Sequence, residues 1–232
     1  MCDIGHTSAL VVDIRLFAGL PEQELRRLVA VARRRLFLRN EVVFHQGDPA
    51  DTLHLIARGR FAARLRTQLG DTVTVSVQGA GEAFGELALV EPGAARSTSV
   101  VALEAGETHA IAQDDFSRLR RDYPAINDVL VRLLARQLRR QSELLVEALF
   151  VNAETRVLRR LGELVALYGR GETETIVPLT QEDIAGLAGT SRATVNRVLR
   201  AEQKNGTVEL HRGNTRVLDP SALARHADTR HV

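Results

Sequence analysis

Cysteine is almost missing from this chain: Cys2 is the only one in 232 residues. A lone cysteine makes no intramolecular disulfide, no thiolate zinc site and no cysteine-held iron–sulfur cluster. Lysine is equally scarce, with Lys204 the only one among 31 basic residues, so nearly every cation is an arginine. The planar guanidinium fork suits phosphates and guanine edges. An excess of charge is missing too, since 31 basic against 29 acidic residues leave a formal net charge of +2. A nucleic-acid partner must then be met by a local basic patch. No apolar run is long enough to span a bilayer. Met1-Cys2-Asp3-Ile4-Gly5-His6 lacks the basic-then-apolar order of a secretory signal. There is no Walker-type loop, no metal-ligand cluster and no spacing that identifies a Ser–His–Asp arrangement. The expectation is a cytoplasmic protein that is not an enzyme, with no catalytic residues, no metal, no cofactor and no membrane partner.

What is present is ordinary globular material, 44% hydrophobic and 26% charged, at a length suited to one large domain or two small ones. Residues 1–35 read as helical, with Pro21 and acids opening a first turn and Leu25, Leu28, Val29 and Ala32 at helical spacing. From 36 to 113 the period shortens. Val42-Val43-Phe44, Leu53–Ile56, Val73–Val77, Ser99–Ala102 and His109–Ile111 are separated by Gly and Asp, which predicts an antiparallel β-roll or sandwich. Asp114-Asp115-Phe116 reads as a capped helix start. After Pro124 a long helix runs to Phe150, with Ile126, Leu130, Leu134, Leu138, Leu145 and Leu149 in a stripe broadened by Leu133 and Leu144. The stripe is wider than one partner surface needs, which favours an identical helix as its second partner.

Residues 151–232 read as a small α/β unit. Thr180-Gln181-Glu182-Asp183 approximates a capping box, Gly189 ends that helix, and Thr190-Ser191 caps the next, from Arg192 to about Glu202. Ala185, Gly189 and Val195 have the spacing of a tight helix-turn-helix. The second helix presents Arg192, Asn196, Arg197 and Arg200 outward, and Arg192 and Arg197 can each fork onto guanine. Ser191 and Thr194 suit phosphate. Thr207–Leu210, Arg212-Gly213-Asn214 and Thr215–Leu218 form a hairpin wing with Arg212 and Arg216 near the DNA backbone.

A second segment, Phe84-Gly85-Glu86-Leu87 through Arg96-Ser97-Thr98, places an acid and an arginine around a Gly-opened helix inside a β domain. Buried charge needs matching. A cyclic phosphodiester on a ribose would match both, with Arg96 and Ser97 on phosphate oxygens, Gly85 offering an amide and Glu86 accepting from a hydroxyl. A Glu86–Arg96 ion pair without ligand is the other reading, and residue types alone leave the two even.

Phe44-His45-Gln46-Gly47-Asp48 with Asp51-Thr52-Leu53, the segment from Gly85 to Ser97, and Thr180–Leu199 together resemble the cyclic-AMP receptor (Crp/Fnr) superfamily of bacterial transcription regulators over about residues 10–220. The resemblance implies an α+β fold. A cyclic-nucleotide-binding β-roll would span 10–119, a dimerisation helix and hinge 120–152, and a winged helix-turn-helix DNA-binding domain 153–232, with the hinge near Phe150–Ala153. It implies a ligand site of Gly85, Glu86, Leu87, Arg96 and Ser97, with Gln141 and Ser142 reaching the base. Gln141 departs from the family's paired hydroxyls, and Gln137 stands where an Arg is usual, so the base is adenine first and guanine second. It implies DNA contacts from Thr180, Ser191, Arg192, Ala193, Thr194, Asn196, Arg197, Arg200 and Arg212. Ala193 stands where a Glu is usual and cannot accept from cytosine, so the half-site should differ or relax there. The expected function is a homodimer on a palindromic operator, controlled by cyclic AMP or cyclic GMP, with RNA polymerase a further partner. The alternative is a constitutive regulator, or one with another effector. His45, His54 and His109 read as surface or core histidines.

Overall fold

The computed structural model describes residues 22–68, 70–91, 93–169 and 174–229. They fall into two compact units. One comprises residues up to Thr72 with Ser76–Arg139, and the other Val73–Val75 with Arg140 onward.

Between Glu22 and Phe150, helix α1 (Glu22–Val31) precedes strands β1 (Arg33–Phe37), β2 (Val42–Phe44), β3 (Thr52–Arg58), β4 (Phe61–Arg66), β5 (Thr72–Gln78) and β6 (Ala83–Phe84). A short 3-10 turn (Glu86–Leu89), β7 (Ser99–Ala102), β8 (Gly106–Ala112), α2 (Gln113–Asp122) and α3 (Ala125–Phe150) follow. Two four-stranded sheets have the orders β1-β8-β3-β6 and β2-β7-β4-β5, and the pairings of β3 with β6 and β8, and of β7 with β2 and β4, are antiparallel. Phe37, Ile56, Phe61, Phe84, Val100 and Ala102 fill one buried cluster. Leu28 of α1, Leu53 and Leu55 of β3, Phe116 and Leu119 of α2, and Ile126, Val129 and Leu130 of α3 form a second. Only the first turns of α3 are buried in it, and further along Leu138, Leu145, Leu149 and Phe150 are largely exposed.

The expected helical character of residues 1–35 holds for Glu22–Val31 and stops there, because Arg33–Arg35 pair with β8 as strand; residues 1–21 lie outside the described residues. The expected cap at Asp114 is also corrected. The helix begins at Gln113, and Ala112 in the cap position has no side chain to accept.

The second unit contains α4 (Ala153–Tyr168), β9 (Thr175–Val177), α5 (Gln181–Ala188), α6 (Arg192–Lys204), β10 (Val208–His211), β11 (Asn214–Val217) and α7 (Pro220–Thr229). Asn152 caps α4 by accepting from the Thr155 amide at 2.9 Å. Strands β10, β11 and β9 form an antiparallel sheet in that order. Leu158, Leu161, Ile184, Val195, Leu199, Val217 and Leu223 are almost fully buried and make its core.

Candidate ligand site and nucleic-acid interface

The roll brings Gly85, Glu86 and Arg96 together around the 3-10 turn. Gly85 takes the left-handed conformation, φ 82°, at the N-cap. A Cβ there would lie 2.7 Å from both Arg96 Nη1 and the Thr52 carbonyl, so only glycine lets the arginine pass this close. Glu86 is 7% exposed and Arg96 6%. They do not neutralise each other directly. Glu86 Oε1 accepts from Gln137 Nε2 at 2.9 Å. Arg96 Nη1 donates to the Thr52 carbonyl at 2.8 Å and Nη2 to Asp51 Oδ1 at 3.2 Å. The guanidinium lies over the Phe44 ring, 4.0 Å from its centroid, a favourable cation–π placement. Its Nε is buried and has no hydrogen-bond partner. Burial lowers the Arg96 pKa from the ordinary guanidinium value while Asp51 opposes it. Leu87 and Ser97 are exposed beside this pair. Gln141 and Ser142 are exposed on α3, in the second unit.

Below the turn, His54 of β3 is paired in register with Phe84 and stacks on its ring at 5.0 Å. Burial, then the charges of Arg96 and Arg35, push its pKa down to about 3, with Asp51 opposing. His109 is 1% exposed and is also depressed, by burial first. These two are core histidines, and His45 is on the surface.

In the second unit the helix-turn-helix forms as its sequence requires. Thr180 Oγ1 accepts from the Asp183 amide at 3.1 Å, and Asp183 Oδ2 accepts from the Thr180 amide at 3.1 Å, closing a capping box. Gly189 ends α5 in the left-handed region, φ 59°. Ser191 Oγ caps α6 by accepting from the Thr194 amide at 3.2 Å. Ala185 and Val195 are buried at the corner. The hydroxyls of Thr180 and Ser191 are thus already engaged within the fold. Arg192, Ala193, Arg197 and Arg200 are exposed on α6, Thr194 is half-buried, and Arg212 is exposed at the hairpin tip. A groove of about 530 Å³ is lined by Thr180, Gln181, Arg192, Asn196 and Arg212 among others. It gathers the start of α5, the outer face of α6 and the wing, and Asn196 Nδ2 donates to Gln181 Oε1 at 3.1 Å. Arg216 is not available in the same way, because Glu174 and Glu209 hold it, and the Glu174 contact raises its pKa.

Two residues to which the sequence reading assigns no part in the site matter here. Arg156 donates to the carbonyls of Val151 (2.6 Å), Ala188 (2.8 Å) and Gly189 (3.0 Å), joining the start of α4 to the end of α5. Glu154 accepts from Arg197. The contacts of Arg156 with Ala188 and Gly189, and of Glu154 with Arg197, cross more than thirty residues of chain, and no local pattern announces them. Asp51 stood in a motif of the resemblance but without this role as the acid on Arg96.

Two family models match. One, described as a cyclic nucleotide-binding domain, covers residues 34–123, and one described as a Crp-like helix-turn-helix domain covers 155–226. The chain is 36% identical over 210 residues to the cyclic AMP receptor protein of Thermus thermophilus, covering 90% of this chain and 94% of that protein. It is 30% identical over 215 residues to the CRP-like cAMP-activated global transcriptional regulator of Mycobacterium tuberculosis, 91% of this chain and 96% of the relative. Among solved structures, the Thermus thermophilus catabolite activator protein is 34% identical, with a TM-score of 0.53 over 92% of this chain and 98% of its own.

Proposed function

We propose that this chain, which belongs to the Crp/Fnr family of transcription regulators, acts as a homodimer whose hold on DNA is set by a cyclic nucleotide, with cyclic AMP the first choice. Its family makes it a DNA-binding regulator with a cyclic nucleotide-binding domain and a helix-turn-helix, and not an enzyme. Among the described residues no helix is long and apolar enough to cross a membrane.

The observation that carries the ligand reading is the state of Arg96, a buried guanidinium whose Nε lacks an acceptor. Such a donor is costly to leave unmatched. A cyclic phosphate supplies the missing acceptor, and the ribose hydroxyl supplies a donor to Glu86. Gly85 and Ser97 complete the phosphate side, Leu87 lies beside it, and Gln141 and Ser142 take the base. In this reading residues 10–119 bind the nucleotide, 120–152 pair the two subunits and form the hinge, and 153–232 bind DNA. The apolar residues Leu138, Leu145, Leu149 and Phe150, exposed by 61–80% along α3, support a second copy of the helix as their cover. Two recognition helices then meet successive major grooves of a palindromic operator about 34–36 Å apart. Arg192 and Arg197 read bases with Asn196 beside them. Thr180, Ser191, Thr194, Arg200 and Arg212 serve the phosphates, and Ala193 leaves its position relaxed. RNA polymerase is the partner that would convert occupancy into transcription. Ligand and DNA each raise the other's affinity, because coupling between two sites is reciprocal.

Calorimetry on the full-length protein with cyclic AMP and cyclic GMP tests this. Saturable binding of cyclic AMP is expected, reduced on the order of 100-fold by Arg96→Leu as charge-assisted hydrogen bonds are lost. Equal binding by the variant overturns the site. One observation favours the second reading, a regulator that needs no nucleotide: Asp51 already gives Arg96 an internal counter-ion at 3.2 Å. DNA affinity that ignores both nucleotides would establish that reading instead.

A further inference from the structure

We infer that Glu154 competes with DNA for Arg197 and so sets how tightly the recognition helix binds; this rests on the reading that Arg197 contacts a base edge. The Arg197 side chain is 66% exposed on the outer face of α6, yet its Nη1 donates to Glu154 Oε1 on α4. The meeting is built rather than incidental. Asn152 caps the first turn of α4 through the Thr155 amide. Arg156, one turn further into α4 than the cap, bonds the carbonyls of Ala188 and Gly189, at the turn that aims α6. Glu154 sits between these two anchors, so its carboxylate is delivered to Arg197 by a turn of helix that has little freedom to move away.

The chemistry of the contact makes it a competitor. A guanidinium grips guanine by presenting two N–H groups in one plane to O6 and N7. A carboxylate asks for the same fork. The contact engages Arg197 Nη1, so a two-pronged grip on guanine that includes Nη1 competes with Glu154 for it. The contact stabilises only the free protein and therefore weakens association. An exposed pair is weak, and its removal is worth about a two- to fivefold gain in DNA affinity.

The test uses fluorescence anisotropy of the full-length protein on a labelled duplex recovered by selection from a randomised library. Wild type, Glu154→Gln, Glu154→Asp, Arg197→Ala and the Glu154→Gln/Arg197→Ala double variant are compared. Glu154→Gln is expected to tighten binding about two- to fivefold. Glu154→Asp keeps the charge but shortens the reach, and is expected to tighten it similarly. In the Arg197→Ala background, Glu154→Gln is expected to change nothing. Equal tightening with and without Arg197 would mean long-range repulsion between the carboxylate and phosphates, and overturns the inference. Unchanged or weaker binding by Glu154→Gln, with Arg197→Ala still impaired, means that Glu154 is neutral or positions Arg197, and overturns it while leaving the base contact intact. Normal DNA binding by Arg197→Ala removes the base-contact reading itself, and the competition with it.

Discussion

Replacing His54 with phenylalanine should remove a large part of the roll's sensitivity to acid. His54 is 5% exposed, stacked on Phe84 and in contact with Thr108 Oγ1 at 3.0 Å. Burial first, and the charges of Arg96 and Arg35 second, lower its pKa from 6.5 to about 3. The folded state therefore keeps the ring neutral, while the unfolded chain takes up a proton as the pH falls through about 6.5. Between about pH 6.5 and 3 the unfolded state holds more protons, so stability falls with falling pH, and the loss saturates below the folded value. At about pH 4.5, two units below the unfolded pKa, His54 alone costs about 3 kcal/mol. Phenylalanine keeps a ring against Phe84 and loses the Thr108 contact, a penalty that does not depend on pH. Urea titrations followed by circular dichroism would measure both proteins at about pH 7.5 and 4.5. Hydrogen exchange over Thr52–Arg58 and Gly106–Ala112 assigns the transition to the roll. Relative to wild type, the variant should gain about 3 kcal/mol on acidification. A stability difference that is the same at both pH values would refute the assignment of His54 as a buried neutral group.

Two other substitutions test the positions that hold each site in shape. Gly85→Ala places a methyl 2.7 Å from Arg96 Nη1 and the Thr52 carbonyl, at a φ of +82°. It should cost about 1–3 kcal/mol in roll stability and weaken nucleotide binding, read by the same denaturation and by calorimetry. Thr180→Ala removes the capping-box hydroxyl and should cost the helix-turn-helix unit about 1 kcal/mol in urea titration, leaving nucleotide binding unchanged.

The punctuation of this chain was legible. Short apolar runs between Gly and Asp marked β2, β3, β5, β7 and β8, and the Thr180, Gly189 and Ser191 signals marked both helices of the DNA-binding motif, because caps and turns are local chemistry. Strand β1 was not legible. Three consecutive arginines carry no alternation, and they are strand only because β8 supplies the ladder and Glu107 holds Arg34 through two hydrogen bonds. Strand β4 escaped for a related reason: Phe61-Ala62-Ala63-Arg64 has small residues where alternation would show, and its Phe61, Ala62 and Ala63 are all buried. In the site, Glu86 and Arg96 were visible as misplaced charges in a β domain. The resemblance put Gln137 near Glu86, but Asp51 was not assigned to Arg96, since a hydrogen bond across forty or more residues leaves no trace in spacing. Arg156 and Glu154 were invisible on the same ground.

The arginines of β1 have a consequence for the molecule in a crowded solution. They lie on the rim strand of the order β1-β8-β3-β6, with side chains exposed. An open rim invites another chain to add a strand and start an insoluble aggregate. Three neighbouring cations, of which Arg34 alone is held by an acid among the described residues, meet an identical rim with like charge at every approach. Repulsion along this border thus helps the roll keep to itself.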